Sequence, residues 1–383
     1  MKKELELYIH IPFCVKKCDY CDFLSGTFDM EECACYVEAL ITEIQSCREL
    51  AREYRVGTVF LGGGTPSVLE AVQTEAVFAA LWDVFKLDRE AEITTELNPG
   101  TVTIEKLEAY RGIGINRLSI GLQSADNKEL ERLGRIHTYE DFLRTYQMAR
   151  ENGFDNINID LISAIPGQTV GSWTKTLQQV LRLNPPPEHI SAYSLIVEEG
   201  TPFWDVYGEK SGAVPDVALP DEEEERRIYR ETKRILEQEG YRRYEISNYA
   251  RSGYECRHNL GYWERREYLG IGLGAASLIG EQRFSNTAEM KNYLVQPGAA
   301  EDKNGLSRQE QMEEFMFLGL RKMSGVSKVS FEKQFGCEME KEYGTELDSL
   351  KRSQLIKEEK GCIRLTEEGI NVGNHVFASF LKE

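Results

Sequence analysis

The first half of the chain alternates short runs of β-forming residues with amphipathic helical stretches. Six runs predict strands, at 5–11, 58–61, 92–97, 117–122, 156–162 and 189–195. The helical patterns between them lie at 31–54, 71–85, 104–110, 128–152 and 172–183. Strands that are each followed by a helix indicate parallel βα units. The spacing predicts an α/β fold, a partial (βα)6 barrel of the TIM type, with a doubly wound open sheet as the alternative.

Polar segments rich in glycine and proline follow the predicted strands. They lie after the first five strands, at 14–21, 62–67, 98–100, 123–124 and 166–168. In barrels and open parallel sheets, the loops at the carboxyl ends of the strands carry the functional site. The five segments therefore predict one functional site at that end of the barrel.

The second half of the chain predicts two further units. We divide the chain into a barrel at 1–215, an extension packed on it at 216–296, and a small C-terminal α+β domain at 305–383. The last unit has helices, a strand pair and a final helix, an order similar to a winged helix. The acidic run at 221–225 fits the first turn of a helix, where carboxylates are favoured, and Gly240 fits its end.

Charge and hydrophobicity exclude several functions. The 383 residues include 46 Lys and Arg against 64 Asp and Glu, a net charge of −18. This balance argues against nucleic acid as a partner, since phosphate binding needs clustered cations. No apolar run is long enough to span a bilayer, and the first residues lack the apolar core of a signal peptide. We expect a cytoplasmic protein with at most peripheral membrane contact.

Three of the nine cysteines lie close together, in the pattern Cys14-x3-Cys18-x2-Cys21. Cysteine thiolates are the usual ligands of iron–sulfur clusters. Three thiolates would leave one iron of a [4Fe–4S] cluster open to a small chelating molecule. A zinc knuckle is the alternative, but zinc sites favour four Cys or His ligands and no second pair is visible. Inert thiols are expected at the other positions, Cys33, Cys35, Cys47, Cys256, Cys337 and Cys362.

Nine segments, in order, resemble the radical-SAM superfamily, and within it the branch of the oxygen-independent coproporphyrinogen III oxidase and the haem chaperone family HemW. The segments are YIHIPFC with the rest of the cysteine motif (8–23), FLGGGTPS (60–67), ELNPG (96–100), RLSIGLQS (117–124), LGRIH (133–137), NIDLISAIPGQT (158–169), HISAYSLIVEEGT (189–201), YEISNYA (244–250) and HNLGYW (258–263). The resemblance implies a [4Fe–4S] cluster on the three cysteines and S-adenosylmethionine as its partner. It implies a set of residues that bind S-adenosylmethionine: Tyr8, Tyr20, Gly63, Gly64, Thr65, Glu96, Gln123, Arg135 and Asp160.

Three observations favour HemW over the oxidase. The oxidase has a fourth cysteine two residues after the third, and this chain has Phe23 there. The oxidase also has a longer extension before its first strand, whereas seven residues precede Tyr8 here. Finally, the segment at 258–263 matches the HNxxYW pattern of HemW. The resemblance therefore implies a haem chaperone that delivers haem to respiratory haem proteins.

That resemblance makes His258 a candidate haem iron ligand, since neutral imidazole is a common axial donor. Tyr262 and Trp263 would flank the macrocycle, and Cys256 is an alternative ligand. The alternative reading of His258 is a residue that caps a turn beside two core aromatics.

Two other functions stay open beside the chaperone. One is the oxidase itself, which converts propionates to vinyl groups through a 5′-deoxyadenosyl radical. The other is a binding module whose cluster is only structural. The radical-SAM machinery is present, but we do not expect coproporphyrinogen III oxidase activity. The expected partners are haem, haem-accepting respiratory proteins and an electron donor for the cluster, with a homodimer as one possible assembly.

Overall fold

The computed structural model describes residues 2–382, so the outermost residues of the predicted units, Met1 and Glu383, lie outside it. The strands are β1 (Lys3–Ile11), β2 (Tyr54–Gly63), β3 (Leu87–Leu97), β4 (Arg117–Gln123), β5 (Ile157–Ser163), β6 (His189–Ser194), β7 (Arg242–Arg243), β8 (Asn248–Ala250), β9 (Tyr268–Ile271), β10 (Ala276–Ile279), β11 (Gln282–Asn286), β12 (Ala300–Gly305), β13 (Val326–Ser327), β14 (Ile356–Glu359) and β15 (Cys362–Leu365). The α-helices are α1 (Met30–Ser46), α2 (Arg48–Ala51), α3 (Ala71–Val84), α4 (Ile104–Gly112), α5 (Asn127–Arg132), α6 (Tyr139–Glu151), α7 (Val170–Leu181), α8 (Pro202–Tyr207), α9 (Glu222–Gln238), α10 (Arg257–Trp263), α11 (Met290–Val295), α12 (Arg308–Gly319), α13 (Lys328–Phe335), α14 (Met339–Arg352), α15 (Glu367–Asn371) and α16 (Gly373–Ala378).

Strands β1 to β6 are parallel and lie side by side in chain order, as predicted. The complete sheet has the order β12-β11-β10-β9-β1-β2-β3-β4-β5-β6-β8-β7. Because β1 pairs with β9 and β6 pairs with β8, the first and sixth strands do not pair with each other. The predicted partial (βα)6 barrel is therefore confirmed, with further strands extending both of its edges.

The parallel strands alternate apolar side chains that face the helices with polar side chains that face the barrel interior. In β1 the apolar set, fully buried in the main core, is Leu5, Leu7, Ile9 and Ile11. The alternate residues of β1 are Glu6, Tyr8 and His10. A parallel sheet covered on both faces usually has nearly continuous apolar strands. The strands of this barrel instead direct polar side chains inward, and a ligand inside the barrel can form hydrogen bonds with them.

Two predicted helices are interrupted in the structure. The pattern at 31–54 forms α1 and α2, and β2 already begins at Tyr54. The pattern at 128–152 forms α5 and α6, because Gly134 has a positive φ of 71° and Thr138 starts a new helix. The Thr138 hydroxyl accepts from the Asp141 backbone N–H while the Asp141 carboxylate accepts from the Thr138 N–H, a capping box.

Helix α9 begins and ends where the sequence predicts. Asp221 caps it, its carboxylate accepting from the Glu224 backbone N–H, and four glutamates follow in the first turn. Gly240 lies just past the other end with φ of 85°. The acidic run is therefore a helix start. Within residues 2–382, no helix combines the length and the apolarity needed to cross a membrane.

The C-terminal part forms a small α+β domain with its own apolar core, as the sequence predicts. Its sheet is antiparallel, in the order β13-β15-β14, with Gly361 in the turn of the predicted strand pair. The core includes Met316, Phe331 and Ile363 and is distinct from the core of the barrel. The stretch between the predicted second and third units contains a strand that the sequence did not indicate, β12, which extends the large sheet. The division into three units stays a prediction.

Candidate functional site

The three clustered cysteines lie on the loop that follows β1 at the mouth of the barrel, which we define as the carboxyl ends of β1 to β6. The two ends of this loop, called here the cluster loop, are joined by backbone hydrogen bonds. Cys14 N–H donates to the Gly26 carbonyl at 2.8 Å, and Gly26 N–H donates to the Pro12 carbonyl at 2.9 Å. Cys14, Cys18 and Cys21 are all half-buried. Burial raises the pKa of the Cys21 thiol.

Two of the thiols have a donor from another strand-end loop. Thr65 Oγ1 lies 3.5 Å from Cys14 Sγ, and Arg135 Nη1 lies 3.5 Å from Cys18 Sγ. Hydrogen bonds to cluster sulfurs stabilise the charge on the thiolates and tune the cluster. Thr65 and Arg135 therefore have a second possible contribution besides the binding of S-adenosylmethionine that the resemblance implies.

The cysteines suit a cluster better than a single metal ion. Among residues 2–382, no group of three His, Cys, Asp or Glu side chains is arranged to hold one ion. A [4Fe–4S] cube has a different requirement, because each thiolate binds a separate iron and the sulfurs surround a volume. Three half-buried thiols on one pinned loop, two of them beside hydrogen-bond donors, meet that requirement.

The glycine-rich segment after β2 packs directly on the cluster loop. Gly64 N–H donates to the Ile11 carbonyl at 2.8 Å, and Thr65 N–H donates to the Phe13 carbonyl at 2.7 Å. A Cβ on Gly64 would lie 2.6 Å from the Phe13 carbonyl oxygen. Gly63 has a φ of 109°, which glycine adopts without strain. The resemblance implies that Gly63 and Gly64 bind S-adenosylmethionine, and the structure adds the close approach of Gly64 to the backbone of the cluster loop.

Asn98, which the sequence analysis did not single out as a site residue, joins two of the predicted residues. Its amide donates to Thr65 Oγ1 at 2.7 Å, and its carbonyl oxygen accepts from Arg135 Nη2 at 2.6 Å. Arg135 Nη2 also donates to the Gly121 carbonyl at 2.9 Å. Tyr20 faces the same guanidinium. The signal that could have found Asn98 is its position immediately after β3, at the mouth.

Gln123 ends β4 in a backbone conformation that few side chains adopt. Its φ is 68°, and its side-chain oxygen is buried without a hydrogen-bond partner among the described residues. Strained backbone and an unpaired buried acceptor both cost free energy, and both concentrate where ligands bind. These features fit the predicted role of Gln123 in binding a ligand at the mouth.

Below the mouth lies a polar chamber of about 190 Å³ inside the barrel. Glu96 and Asp160, both predicted site residues, line it together with Tyr8. Glu96 accepts a hydrogen bond from Gly63 N–H at 3.2 Å. Burial, and then the nearby Asp160, raise the pKa of Glu96 to about 8. The Tyr8 hydroxyl donates to His10 Nδ1 at 3.0 Å, since His10 Nε2–H donates to the Leu24 carbonyl.

The HNLGYW segment forms α10, which lies against the inner face of the barrel. The carboxylate of Glu92 on β3 accepts from the backbone N–H groups of Arg257 and His258, at 3.0 and 3.1 Å. A carboxylate at this position satisfies N–H groups that a helix start leaves free. Cys256 is fully buried and its thiol points to the same Glu92 carboxylate at 3.5 Å.

His258 lines the polar chamber with both ring nitrogens engaged. Nδ1 lies 2.7 Å from the Thr58 hydroxyl, and Nε2 lies 3.0 Å from the Tyr262 hydroxyl. The ring stacks on Phe60 with centroids 5.2 Å apart. Burial, and then Arg117, lower the pKa of His258 to about 3, so the imidazole is neutral at pH 7.

A larger apolar chamber of about 580 Å³ adjoins the polar one. Tyr8 and Tyr262 line both chambers, and Trp263 lines only the apolar one. The remaining lining comes from Arg265, strands β9 to β11 and helix α12, with Tyr268, Leu278 and Phe317 among the side chains. The structure thus places His258 and Trp263 in adjoining chambers, with Tyr262 between them.

Glu6 is a buried carboxyl group on β1 that packs against Gly261 of α10. It is 1% exposed, and neither of its oxygens has a hydrogen-bond partner among the described residues. A Cβ on Gly261 of α10 would overlap the Glu6 carboxyl group. Burial raises the pKa of Glu6 to about 9, with Glu92 adding to the rise and Arg266 opposing it. Glu6 is therefore protonated and neutral at pH 7.

We expect Glu6→Gln to flatten the pH dependence of stability. The pKa of Glu6 is about 9 in the folded protein, against an ordinary value of 4.5. Between these values the unfolded chain releases the proton and the folded protein keeps it, so the free energy of unfolding falls as pH rises. Gln has no such proton. The free energy of unfolding of Glu6→Gln should therefore rise relative to that of the wild type, by a few kcal/mol in total, as the pH goes from about 5 to about 9. Denaturant unfolding of both proteins at several pH values measures this, and parallel profiles would contradict it.

Comparison with known proteins agrees with this architecture. The radical SAM superfamily model matches residues 8–180, and the HemN C-terminal domain model matches residues 306–372. The haem chaperone HemW of Lactococcus lactis is 37% identical over 383 residues, covering 100% of this chain and 98% of that protein. HemW of Escherichia coli is 33% identical over 387 residues, covering 99% of this chain and 98% of that protein.

A solved structure is also similar over nearly the whole chain. Coproporphyrinogen III oxidase (HemN) from Escherichia coli, described as a radical SAM enzyme, superposes with a TM-score of 0.85 at 25% identity. The superposition covers 99% of this chain and 90% of that one. The two bacterial relatives given above are more than 30% identical over nearly their full lengths and are named HemW, and the fold is shared with the oxidase. The chain belongs to the HemW family of the radical SAM superfamily.

Proposed function

We propose that this protein is a cytoplasmic haem chaperone that binds a [4Fe–4S] cluster, S-adenosylmethionine and haem, and delivers haem to respiratory haem proteins. The observation that carries the proposal is the placement of the HNLGYW segment. It forms α10, which lines both the polar chamber and the apolar chamber below the cysteine loop. The full-length similarity to haem chaperones named HemW supports the same reading.

The residues at the mouth suit a cluster and its S-adenosylmethionine. Cys14, Cys18 and Cys21 would each hold one iron, and the open iron would take the sulfonium cofactor. When bound, the reduced cluster supplies one electron to the sulfonium and so gives access to 5′-deoxyadenosyl radical chemistry. The other predicted residues would bind and orient the cofactor and exclude water: Tyr8, Tyr20, Gly63, Gly64, Thr65, Glu96, Gln123, Arg135 and Asp160.

His258 has the protonation state that an iron ligand needs. Its imidazole is neutral at pH 7, because burial and Arg117 lower its pKa to about 3. Thr58 would hold the ring through Nδ1, which leaves Nε2 as the donor to iron. The Tyr262 hydroxyl now occupies Nε2, so ligation would require this tyrosine to turn away.

The oxidase is a second candidate, favoured by the structural similarity to HemN at a TM-score of 0.85. Phe23, 63% exposed, occupies the position of the oxidase's fourth cysteine. The chaperone reading adds partners that the oxidase does not need, namely a haem-accepting respiratory protein. An electron donor for the cluster and a homodimer complete the proposed assembly.

The test uses the full chain, reconstituted with iron and sulfide without oxygen. We expect one haem per chain in a Soret titration, and no vinyl product when the protein is incubated with coproporphyrinogen III, reductant and S-adenosylmethionine. His258→Ala should weaken haem binding about tenfold or more, the loss expected for one strong interaction. The exposed His375→Ala is the matched control and should bind haem like the wild type.

Vinyl formation at a rate typical of enzymes would assign the protein to the oxidases. Unchanged haem affinity in His258→Ala would remove that residue from the haem site, while leaving the chaperone proposal in place. Absence of haem binding by the wild-type protein would refute the chaperone proposal itself.

A further inference from the structure

Arg117 is a buried cation without an ion-pair partner among residues 2–382. It begins β4 and faces the polar chamber, and it is only 2% exposed. Its Nε is buried without a hydrogen-bond partner, and Glu92 and Asp160 act on its charge through space, without a direct ion pair among residues 2–382. Arginine is almost never buried unless it is paired. The missing partner is therefore the feature to explain.

The carboxylates around Arg117 are engaged elsewhere. Asp160 accepts from Ser119 Oγ at 2.8 Å and from Asn158 Nδ2 at 2.9 Å. Glu92 accepts from two backbone N–H groups at the start of α10. Glu96, whose pKa is raised to about 8, carries little charge at pH 7. The chamber therefore holds a guanidinium whose donors are available to a ligand.

We propose that Arg117 receives a carboxylate of the molecule bound inside the barrel, and that this carboxylate is a propionate of haem. The inference rests on the proposed function and names where the ligand's polar arm goes. A planar guanidinium can donate two parallel hydrogen bonds to a carboxylate. The polar chamber takes the propionate, and the adjoining apolar chamber takes part of the macrocycle, with Tyr8 and Tyr262 at their junction.

The other arginines that line the chambers are already paired. Arg265 Nε lies 2.7 Å from Glu314 and its Nη2 is hydrogen-bonded to Glu281. Arg283 lies 2.6 Å from the second oxygen of Glu314. Among the arginines that line the two chambers within residues 2–382, Arg117 is the one without an ion pair. A ligand carboxylate in either chamber would therefore form its ion pair with Arg117.

The depth of Arg117 favours a propionate over the carboxylate of S-adenosylmethionine. Arg117 is the first residue of β4, six residues before Gln123 at the carboxyl end of the strand, and is therefore about 20 Å along the strand from the mouth. A molecule that chelates the open iron has its chelating end at the mouth. The carboxylate of S-adenosylmethionine belongs to that chelating end, so a carboxylate that reaches Arg117 belongs to a second ligand.

The experiment compares Arg117→Gln with the matched control Arg89→Gln, which removes an exposed charge from β3. We expect Arg117→Gln to bind haem 10- to 100-fold more weakly, the range for a hydrogen-bonded charge. In haem dimethyl ester the propionates are esterified, and the wild type should bind it more weakly than haem by a similar factor. Arg117→Gln should bind haem and the ester with equal affinity, because the interaction that the ester removes is already lost. Binding of S-adenosylmethionine to the cluster-loaded variant should be unchanged.

Thermal unfolding without ligand separates a binding role from a structural one. Removal of an unpaired buried charge should leave the Tm of Arg117→Gln equal to or above that of the wild type. A clear fall in Tm would make Arg117 a structural residue and overturn the inference, as would equal haem affinity in Arg117→Gln and wild type. Loss of S-adenosylmethionine binding in place of haem binding would overturn the assignment to a propionate. If the wild type binds no haem, the proposed function fails as well.

Discussion

Replacement of Cys14, Cys18 or Cys21 by alanine is expected to abolish the iron–sulfur cluster. Each thiolate would hold its own iron, and with the fourth iron open there is no spare ligand to compensate for a missing one. Backbone hydrogen bonds join the two ends of the cluster loop at Cys14 and Gly26. Another cysteine could take the place of a missing ligand only if the loop moved and these hydrogen bonds broke. After anaerobic reconstitution, the visible absorption of the cluster and the bound iron and sulfide should be lost almost completely.

Cys35→Ala provides the matched control for the triad. This residue lies on α1, shortly after the cluster loop, and its side chain is exposed. The control should keep the iron content and the absorption of the wild type. A full complement of four irons in any of the three triad variants would refute the ligand assignment.

Gly64→Ala is expected to displace the cluster loop and lower both stability and iron content. The new Cβ would lie 2.6 Å from the Phe13 carbonyl oxygen and 2.9 Å from the Ile11 carbonyl oxygen. Both contacts are with backbone, so a rotamer change cannot relieve them and the loop must shift. Overpacking of this kind costs about 1–3 kcal/mol. The free energy of unfolding and the iron bound after reconstitution should both fall.

Gly26→Ala is the control for that change, because Gly26 ends the cluster loop on which Gly64 packs. A Cβ on Gly26 would meet no heavy atom within 4 Å, so the methyl group has space. The expected result is wild-type stability and iron content in Gly26→Ala, with losses only in Gly64→Ala. Equal behaviour of the two variants would show that the glycine segment does not support the cluster loop.

The parts of the fold that were predictable depend on local signals. Strands β1 to β6 were found because each is a run of β-forming residues before a polar segment, and that pattern does not require knowledge of distant contacts. Helix α9 was predicted at both ends because Asp221 and Gly240 act on the backbone beside them. The cluster loop was recognisable for the same reason, since its three thiols lie within eight residues.

The missed features depend on residues that are distant in sequence. Strand β12 has the composition of a linker and becomes a strand only because β11 offers an edge to pair with. Asn98 gains its place in the site from Thr65 and Arg135, 33 and 37 residues away. No local pattern distinguishes such a residue from the polar neighbours of any turn.

The family, the barrel and the chemistry that the three cysteines make available could all be inferred from the order of the residues. These follow from spacing, periodicity and ordered motifs, which are properties of neighbouring residues. Three features required the folded chain: α10 lies inside the barrel, its residues line two adjoining chambers, and Arg117 has no ion pair among residues 2–382. The sequence does not show whether an arginine on a strand forms an ion pair. Its pairing depends on which carboxylates the fold brings near and which of them already accept hydrogen bonds from other donors.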